Sequence, residues 1–141
     1  MFIKEIIKNK EDTVSFIKKY ILPILKKETI LLLNGTLGSG KTFFTNVLLN
    51  IIFEKEGRVL ENITSPTFNL VKIYNTNNFN VHHFDLYRVK NIEELYELDL
   101  NEAFSNVAII EWSDIIKDIL PYKPVELSIE LEKGYRIYNL N

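Results

Sequence analysis

The segment TILLLNGTLGSGKTFF, residues 29–44, constrains the fold of this chain more than any other stretch. It begins as a short apolar run with a β-branched start, which is typical of a strand buried on both faces. It ends in a run with helical periodicity that meets no breaker before Gly57. Between the two, Gly35 to Thr42 satisfy the pattern G-x-x-x-x-G-K-[ST]. We therefore predict a strand, a phosphate-binding loop and a helix, in that order.

Every part of this loop has a physical reason to favour a bound phosphate. Glycines let the backbone curl until successive N–H groups point at phosphate oxygens, and the following helix presents the positive end of its dipole. Lys41 would neutralise the β and γ phosphates, which makes it a predicted catalytic residue as well, and the hydroxyl of Thr42 would bind Mg²⁺. The predicted nucleotide-binding loop residues are Gly35, Thr36, Leu37, Gly38, Ser39, Gly40, Lys41 and Thr42.

Two acidic residues end strand-like segments and complete the predicted site. Glu111 ends the apolar run VAIIE, where a Walker B acid belongs, and Asp85 ends VHHFD. We predict both as catalytic residues and, together with Thr42, as residues that hold Mg²⁺ directly or through its waters. Either acid could orient the attacking water.

The histidines of VHHFD do not form a metal site of their own. Strand alternation places His83 and Asp85 on one face and His82 on the other. Two ligands on one face are too few for a closed zinc site. We predict that His83 is packed against Asp85 or hydrogen-bonded to it.

Two further segments are candidates for contact with a nucleotide. TSPTF, which starts at Thr64, lies where a nucleotide-sensing switch could lie, with hydroxyls on Thr64 and Thr67 and a turn stiffened by Pro66. Trp112 follows Glu111 and could belong to the core or cover the site. Sequence alone favours the core.

The remaining segments predict an α/β domain. MFIKEIIK has the pattern of an edge strand, and a helix should start with Asp12 or Thr13 as its cap and be ended or kinked by Pro23. A strand from about residue 68 to 74 and a return strand flank the turn NTNN, short helices follow around residues 91–104, and Ser113 should cap another. The alternating VELSIELEKGYRIYNL is a hairpin that turns at Lys133 and Gly134. We predict one P-loop NTPase-like domain over residues 1–141, a three-layer α/β/α fold with a mixed sheet of parallel core strands and antiparallel hairpins.

Composition excludes several classes of function. Seventeen Lys and Arg against nineteen Asp and Glu give a net charge of −2, which argues against a surface built mainly for a nucleic-acid backbone. The absence of Cys removes disulfides and thiolate chemistry and is compatible with the cytosol. No signal peptide and no membrane-spanning stretch is evident, so we predict a cytoplasmic protein that does not bind membranes.

The ordered motifs LNGTLGSGKTFF, TSPTFNLV, HFDLYR, EELYELDLNEAF, IIEWSD and GYRIYNL resemble the bacterial TsaE (YjeE) family across most of the chain. The resemblance implies a small P-loop ATPase that uses ATP and Mg²⁺ and works with TsaB and TsaD to make N6-threonylcarbamoyladenosine beside the anticodon of certain tRNAs. Transfer chemistry would belong to TsaD, and tRNA would be contacted only through the complex.

The resemblance also implies roles for individual residues. Thr64 to Thr67 would be the family's switch segment near the γ phosphate, and Asp85 the catalytic or metal-water acid. Glu111 would be the Walker B acid, with Trp112 as its companion. Phe43 stands where the family often has Thr, a change that should be tolerated because Thr42 supplies the hydroxyl for the metal.

Two other functions would use the same loop. A small-molecule or nucleotide kinase usually gathers several arginines around the transferred phosphoryl group, whereas this chain has only Arg58, Arg88 and Arg136 and no evident lid insertion. A non-catalytic nucleotide-dependent switch would need no acid to orient water, so the presence of both Asp85 and Glu111 favours hydrolysis.

Overall fold

The computed structural model describes residues 2–60 and 70–141. Seven strands are present in these residues: β1 (Ile3–Ile7), β2 (Thr29–Asn34), β3 (Val71–Asn75), β4 (Asn80–Asp85), β5 (Val107–Glu111), β6 (Val125–Glu132) and β7 (Tyr135–Leu140). They form one sheet in the order β1-β7-β6-β2-β5-β4-β3. The predicted strand at residues 68–74 is seen from Val71 on, and residues 68 and 69 lie outside the described part.

The sheet has a parallel centre and antiparallel edges. Strands β6, β2, β5 and β4 run parallel to their neighbours in that group. Strand β3 returns along β4, and β7 pairs antiparallel with both β6 and β1. This arrangement confirms the predicted mixed sheet, with β1 as an edge strand and the closing hairpin turning at Lys133 and Gly134.

Helices cover both faces of the sheet. The α-helices are α1 (Lys10–Phe16), α2 (Lys41–Lys55) and α3 (Leu100–Ser105). A π-helical turn at Ile17–Ile21 and 3-10 turns at Leu22–Ile24, Ile92–Leu95, Ser113–Ile115 and Lys117–Ile119 complete the helical segments of the described residues. The first helical segment therefore ends in the 3-10 turn that contains Pro23, as predicted. No helix in this part of the chain has the length and apolar character to cross a membrane.

Each face of the central strands contributes to a separate core. On one face Leu31, Leu33 and Ile109 pack with residues of α1 and α2, and on the other Ile30 and Ile110 pack with residues of α3. Alternate side chains of a buried parallel strand point to opposite faces, so an unbroken apolar run such as TILLL feeds both cores. The three-layer α/β/α prediction is confirmed.

Two predicted helix caps were wrong. Helix α1 is capped by Asn9, whose side chain accepts a hydrogen bond from Asp12 N at 2.9 Å, while Asp12 accepts one from Lys8 N at 2.8 Å. Thr13 cannot serve as a cap because it is buried inside the helix, where its hydroxyl contacts that of Tyr138 at 3.0 Å. Ser113 does not cap its 3-10 turn either, since the preceding Trp112 occupies that position without a side-chain bond.

Candidate functional site

The predicted phosphate loop joins the end of β2 to the start of α2. Gly40 caps α2 with a φ of 109°, a left-handed conformation that side-chain-bearing residues rarely adopt. A Cβ at Gly35 would press on Ser39 Oγ and lie 2.9 Å from the carbonyl oxygen of Ile129. Glycine at these positions is therefore what allows the loop to wrap tightly over the end of the sheet.

Lys41 lies folded into this loop with only 5% of its surface exposed. Its Nζ donates to the carbonyl oxygens of Gly35 at 2.7 Å and Thr36 at 3.0 Å, and it lies 4.3 Å from the ring centroid of Trp112. Burial lowers the pKa of the Lys41 amino group, while the carboxylates of Glu111 and Asp85 act in the opposite direction. The loop thus holds a partly desolvated positive charge beside two acids.

Glu111 and Asp85 lie side by side because their strands pair in parallel at those positions. Both are nearly fully buried, at 3% and 5% exposure. The hydroxyl of Thr42 donates to the Glu111 carboxylate, with distances of 3.2 and 3.4 Å to its two oxygens. Asp85 Oδ1 accepts from the backbone N–H of Tyr87 at 3.1 Å. The fold therefore brings together Lys41, Thr42, Asp85 and Glu111, which lie far apart in the sequence.

His83 was predicted to pack against Asp85 or to bond to it, and its observed hydrogen bond is to Glu111 instead. His83 shares a face with Asp85, but its Nε2 lies 2.6 Å from Oε2 of Glu111. In the β4–β5 register His83 stands opposite Ile109, two residues before Glu111 on the same face, and the longer glutamate side chain reaches back to the imidazole. Strand register across two separate segments cannot be derived from the local pattern.

Two aromatic side chains form one wall of the site. Trp112, which has a left-handed φ of 58°, packs partly against the second core and also lies against Lys41. The ring of Tyr87 lies 4.8 Å from that of Trp112 between centroids. Trp112 therefore both packs on the core and covers the loop, whereas sequence favoured the core alone. Tyr87 was not predicted, although it lies two residues after Asp85.

Arg136 is a second residue that sequence analysis missed. Its Nε donates to the carbonyl oxygen of Ser39 at 2.7 Å, and its guanidinium lies against Gly40. The loop is thus held from the side of β7, almost a hundred residues later in the chain. Only its place in the motif GYRIYNL could have drawn attention to it.

The phosphate loop, the two acids and the two aromatic side chains surround an open pocket of about 320 Å³. It is lined by Leu37, Gly38, Gly40, Lys41, Thr42, Asp85, Tyr87, Arg88, Glu111 and Trp112. Thr64 and Thr67 lie outside the described residues. Within residues 2–60 and 70–141, no group of three or more His, Asp and Glu side chains could hold a metal by itself.

The parallel strands, the tight glycine loop, the buried lysine and the Thr42–Glu111 contact define an α/β protein of the P-loop class. Comparison with known proteins narrows this class to one family. The family model described as threonylcarbamoyl adenosine biosynthesis protein TsaE matches residues 7–137. The chain belongs to the TsaE family.

Similar proteins carry the same family name. A protein of Rickettsia felis named tRNA threonylcarbamoyladenosine biosynthesis protein TsaE is 42% identical, over 96% of this chain and 78% of its own length. Its namesake in Borreliella burgdorferi is 32% identical over 95% of this chain and 96% of its own. Among solved structures, the crystal structure of Bacillus subtilis YdiB superposes with a TM-score of 0.74 at 27% identity, covering 99% of this chain and 84% of that one.

Proposed function

We propose that this protein binds ATP with Mg²⁺ and hydrolyses it in support of N6-threonylcarbamoyladenosine formation in tRNA, acting with TsaB and TsaD. One observation carries the ATPase part: the Thr42 hydroxyl meets the buried Glu111 carboxylate beside a lysine folded into a phosphate loop. The family and the names of its relatives support the tRNA part.

The residues of the loop have the charge and the donor groups to bind a nucleoside triphosphate. Lys41 is held here by two backbone carbonyls and an aromatic face. Phosphate oxygens would bind its ammonium group more strongly than these partners do, because they carry a full negative charge. Thr42 would turn its hydroxyl from Glu111 to Mg²⁺, and Glu111 would hold a water of the ion. When bound, Mg²⁺ would supply charge neutralisation on the phosphate oxygens.

Hydrolysis further requires a base that orients water, and the two adjacent acids offer one. Asp85 and Glu111 occupy paired positions at the ends of β4 and β5, so one can serve the metal while the other accepts a hydrogen bond from the attacking water. Trp112 and Tyr87 would limit the access of bulk water on their side of the pocket.

We propose that the nucleoside would lie in a groove of about 340 Å³, which is lined among others by Phe43, Tyr135 and Arg136. Arg136 connects the groove to the phosphate loop through its bond to Ser39. Aromatic and guanidinium faces are suited to stacking on a purine base.

Family membership and net charge support the proposed partners. With a net charge of −2, this chain should contact tRNA mainly through TsaB and TsaD, in the cytoplasm. The transfer of the threonylcarbamoyl group would belong to TsaD, and ATP hydrolysis here would sustain turnover of the complex.

Measuring ATP hydrolysis by the purified protein, alone and with TsaB and TsaD, tests the proposal. The Lys41→Ala variant, which lacks the counter-charge for the phosphates, is the blank. We expect weak activity alone and a rise when the partners are added. Activity that ignores the partners would contradict the proposed role and direct attention to a kinase or a free-standing switch.

A further inference from the structure

We propose that His83 is a positioning residue that holds the Glu111 carboxylate in the orientation that Mg²⁺ binding needs. The inference rests on the proposed function, since it concerns the same site. It assigns a role to a side chain that would not itself touch nucleotide or metal.

The first argument is the quality of the contact. His83 is fully buried, Glu111 is 3% exposed, and 2.6 Å separates Nε2 from Oε2. A short bond to a carboxylate in a dry environment is strong and directional. It fixes the rotation of the carboxylate about its last side-chain bond.

The second argument concerns the hydrogen bonding of the other ring nitrogen of His83. Nδ1 of His83 is buried and has no hydrogen-bond partner within the described part of the chain. Because an ionised carboxylate can only accept hydrogen bonds, Nε2 of His83 is the donor in the bond to Glu111. Among the described residues, the polar contact of this side chain is with Glu111, and an apolar side chain would fill the same space without an unpaired nitrogen.

The third argument is that the other partner of Glu111 must leave. Thr42 contacts the carboxylate at 3.2 and 3.4 Å, longer than the histidine contact. If the Thr42 hydroxyl turned to Mg²⁺, Glu111 would lose that bond, and His83 would keep its own because it lies in β4, outside the loop. His83 would then be what keeps the carboxylate aimed at the ion.

The chain supplies a matched control. His82 is the neighbouring residue of β4, is 3% exposed, points to the opposite face and also has a buried unpaired nitrogen, Nε2, among the described residues. Substituting either histidine removes the same group from the same strand. Only His83 touches the site.

The experiment compares His83→Leu and His83→Gln with His82→Leu and His82→Gln. Glutamine keeps an N–H donor near the place of Nε2, and leucine does not. Binding of a fluorescent ATP analogue is measured with EDTA and across a Mg²⁺ titration, followed by kcat and KM for ATP at saturating Mg²⁺. Circular dichroism and the melting midpoint verify that each variant is folded.

We expect His83→Leu to bind the analogue in EDTA as the unmutated protein does, but to need about 10–100 times more Mg²⁺ for the metal-dependent gain in affinity. Its kcat should fall while KM for ATP changes little, and His83→Gln should recover most of both losses. The His82 variants should match the unmutated protein.

Three outcomes would overturn the inference. A normal Mg²⁺ requirement in His83→Leu would do so and leave the proposed function intact. An equal shift in His82→Leu would show that strand packing is the cause. Failure of the unmutated protein to bind the analogue at all would overturn the proposed function, and this inference with it.

Discussion

Single residues at this site have polar partners that are weaker than the ones ATP and Mg²⁺ would provide. Lys41 donates to carbonyls of its own loop, and Thr42 donates to Glu111 over more than 3 Å. Because the charges are already buried, a ligand that replaces these contacts pays little further desolvation. Substitutions at such residues should therefore change nucleotide affinity and the rate of hydrolysis to different degrees.

At saturating Mg²⁺, Glu111→Gln should leave most nucleotide affinity intact and lower the rate of hydrolysis by about 10²–10⁴-fold, because the amide keeps the shape of the side chain and loses its charge and basicity. Phosphate release and equilibrium binding of ATP measure the two effects. The proposed roles of Glu111 would be wrong if the variant hydrolysed ATP at the unmutated rate.

His82 should make the stability of the protein sensitive to mild acid. Burial lowers the pKa of His82 below its ordinary value near 6.5, although Glu102 and Asp99 act in the opposite direction. Below about pH 6.5 this histidine therefore binds a proton more readily in the unfolded chain than in the folded one. The free energy of unfolding consequently falls as the pH drops through this range.

Denaturant midpoints measured at about pH 7.5 and about pH 5.5 test whether stability falls in this direction. The decrease should be smaller in His82→Leu, which has nothing to protonate at that position. Comparing the decrease within each protein removes any difference in absolute stability between them. An equal decrease in both proteins would assign the acid sensitivity to other groups.

At the scale of elements, the phosphate loop is held by a strand that is remote from it in sequence. Arg136 of β7 donates to the Ser39 carbonyl and lies against Gly40. We expect Arg136→Gln to lower ATP affinity by ~10-fold or more, because a charge-assisted bond that shapes the loop is lost. Lys133→Gln, at the exposed turn of the same hairpin, is the control and should bind ATP normally in the same titration.

Local patterns predicted the elements whose causes are local. Strand β2 and helix α2 follow from an apolar run, a glycine loop and a helical period, and the β6–β7 hairpin from strict alternation around Gly134. The cap at Asn9 was missed because several polar residues compete at that helix start, and tertiary burial of Thr13 decides among them. The contacts of His83 and Arg136 depend on register and strand order, which no short segment encodes.

At the scale of the whole molecule, bound nucleotide should stabilise the fold. A ligand that binds only the folded state adds about 2.7 kcal/mol at a hundred times its Kd. We expect Mg·ATP to raise the melting midpoint of the unmutated protein and to leave that of Lys41→Ala unchanged. Mg²⁺ without nucleotide is the control and should have little effect. An equal rise in both proteins would place ATP elsewhere.

Free tRNA should bind this chain weakly. Seventeen basic residues are offset by nineteen acidic ones, so few phosphates can be neutralised without repulsion. Filter binding across a salt series measures this affinity. Submicromolar, salt-dependent affinity for the isolated protein would contradict the prediction.

The bond between Arg136 of β7 and the phosphate loop can form only late in the synthesis of residues 1–141, because β7 lies near the C-terminal end of that range. A nascent chain that has reached residue 134 already contains the whole glycine loop and both acids, yet it lacks Arg136. It also lacks the strand that seats β1 in the sheet. Nucleotide would therefore stabilise nascent chains that extend through β7 more than shorter ones. A chain truncated shortly before Arg136 would gain little folding stability from ATP.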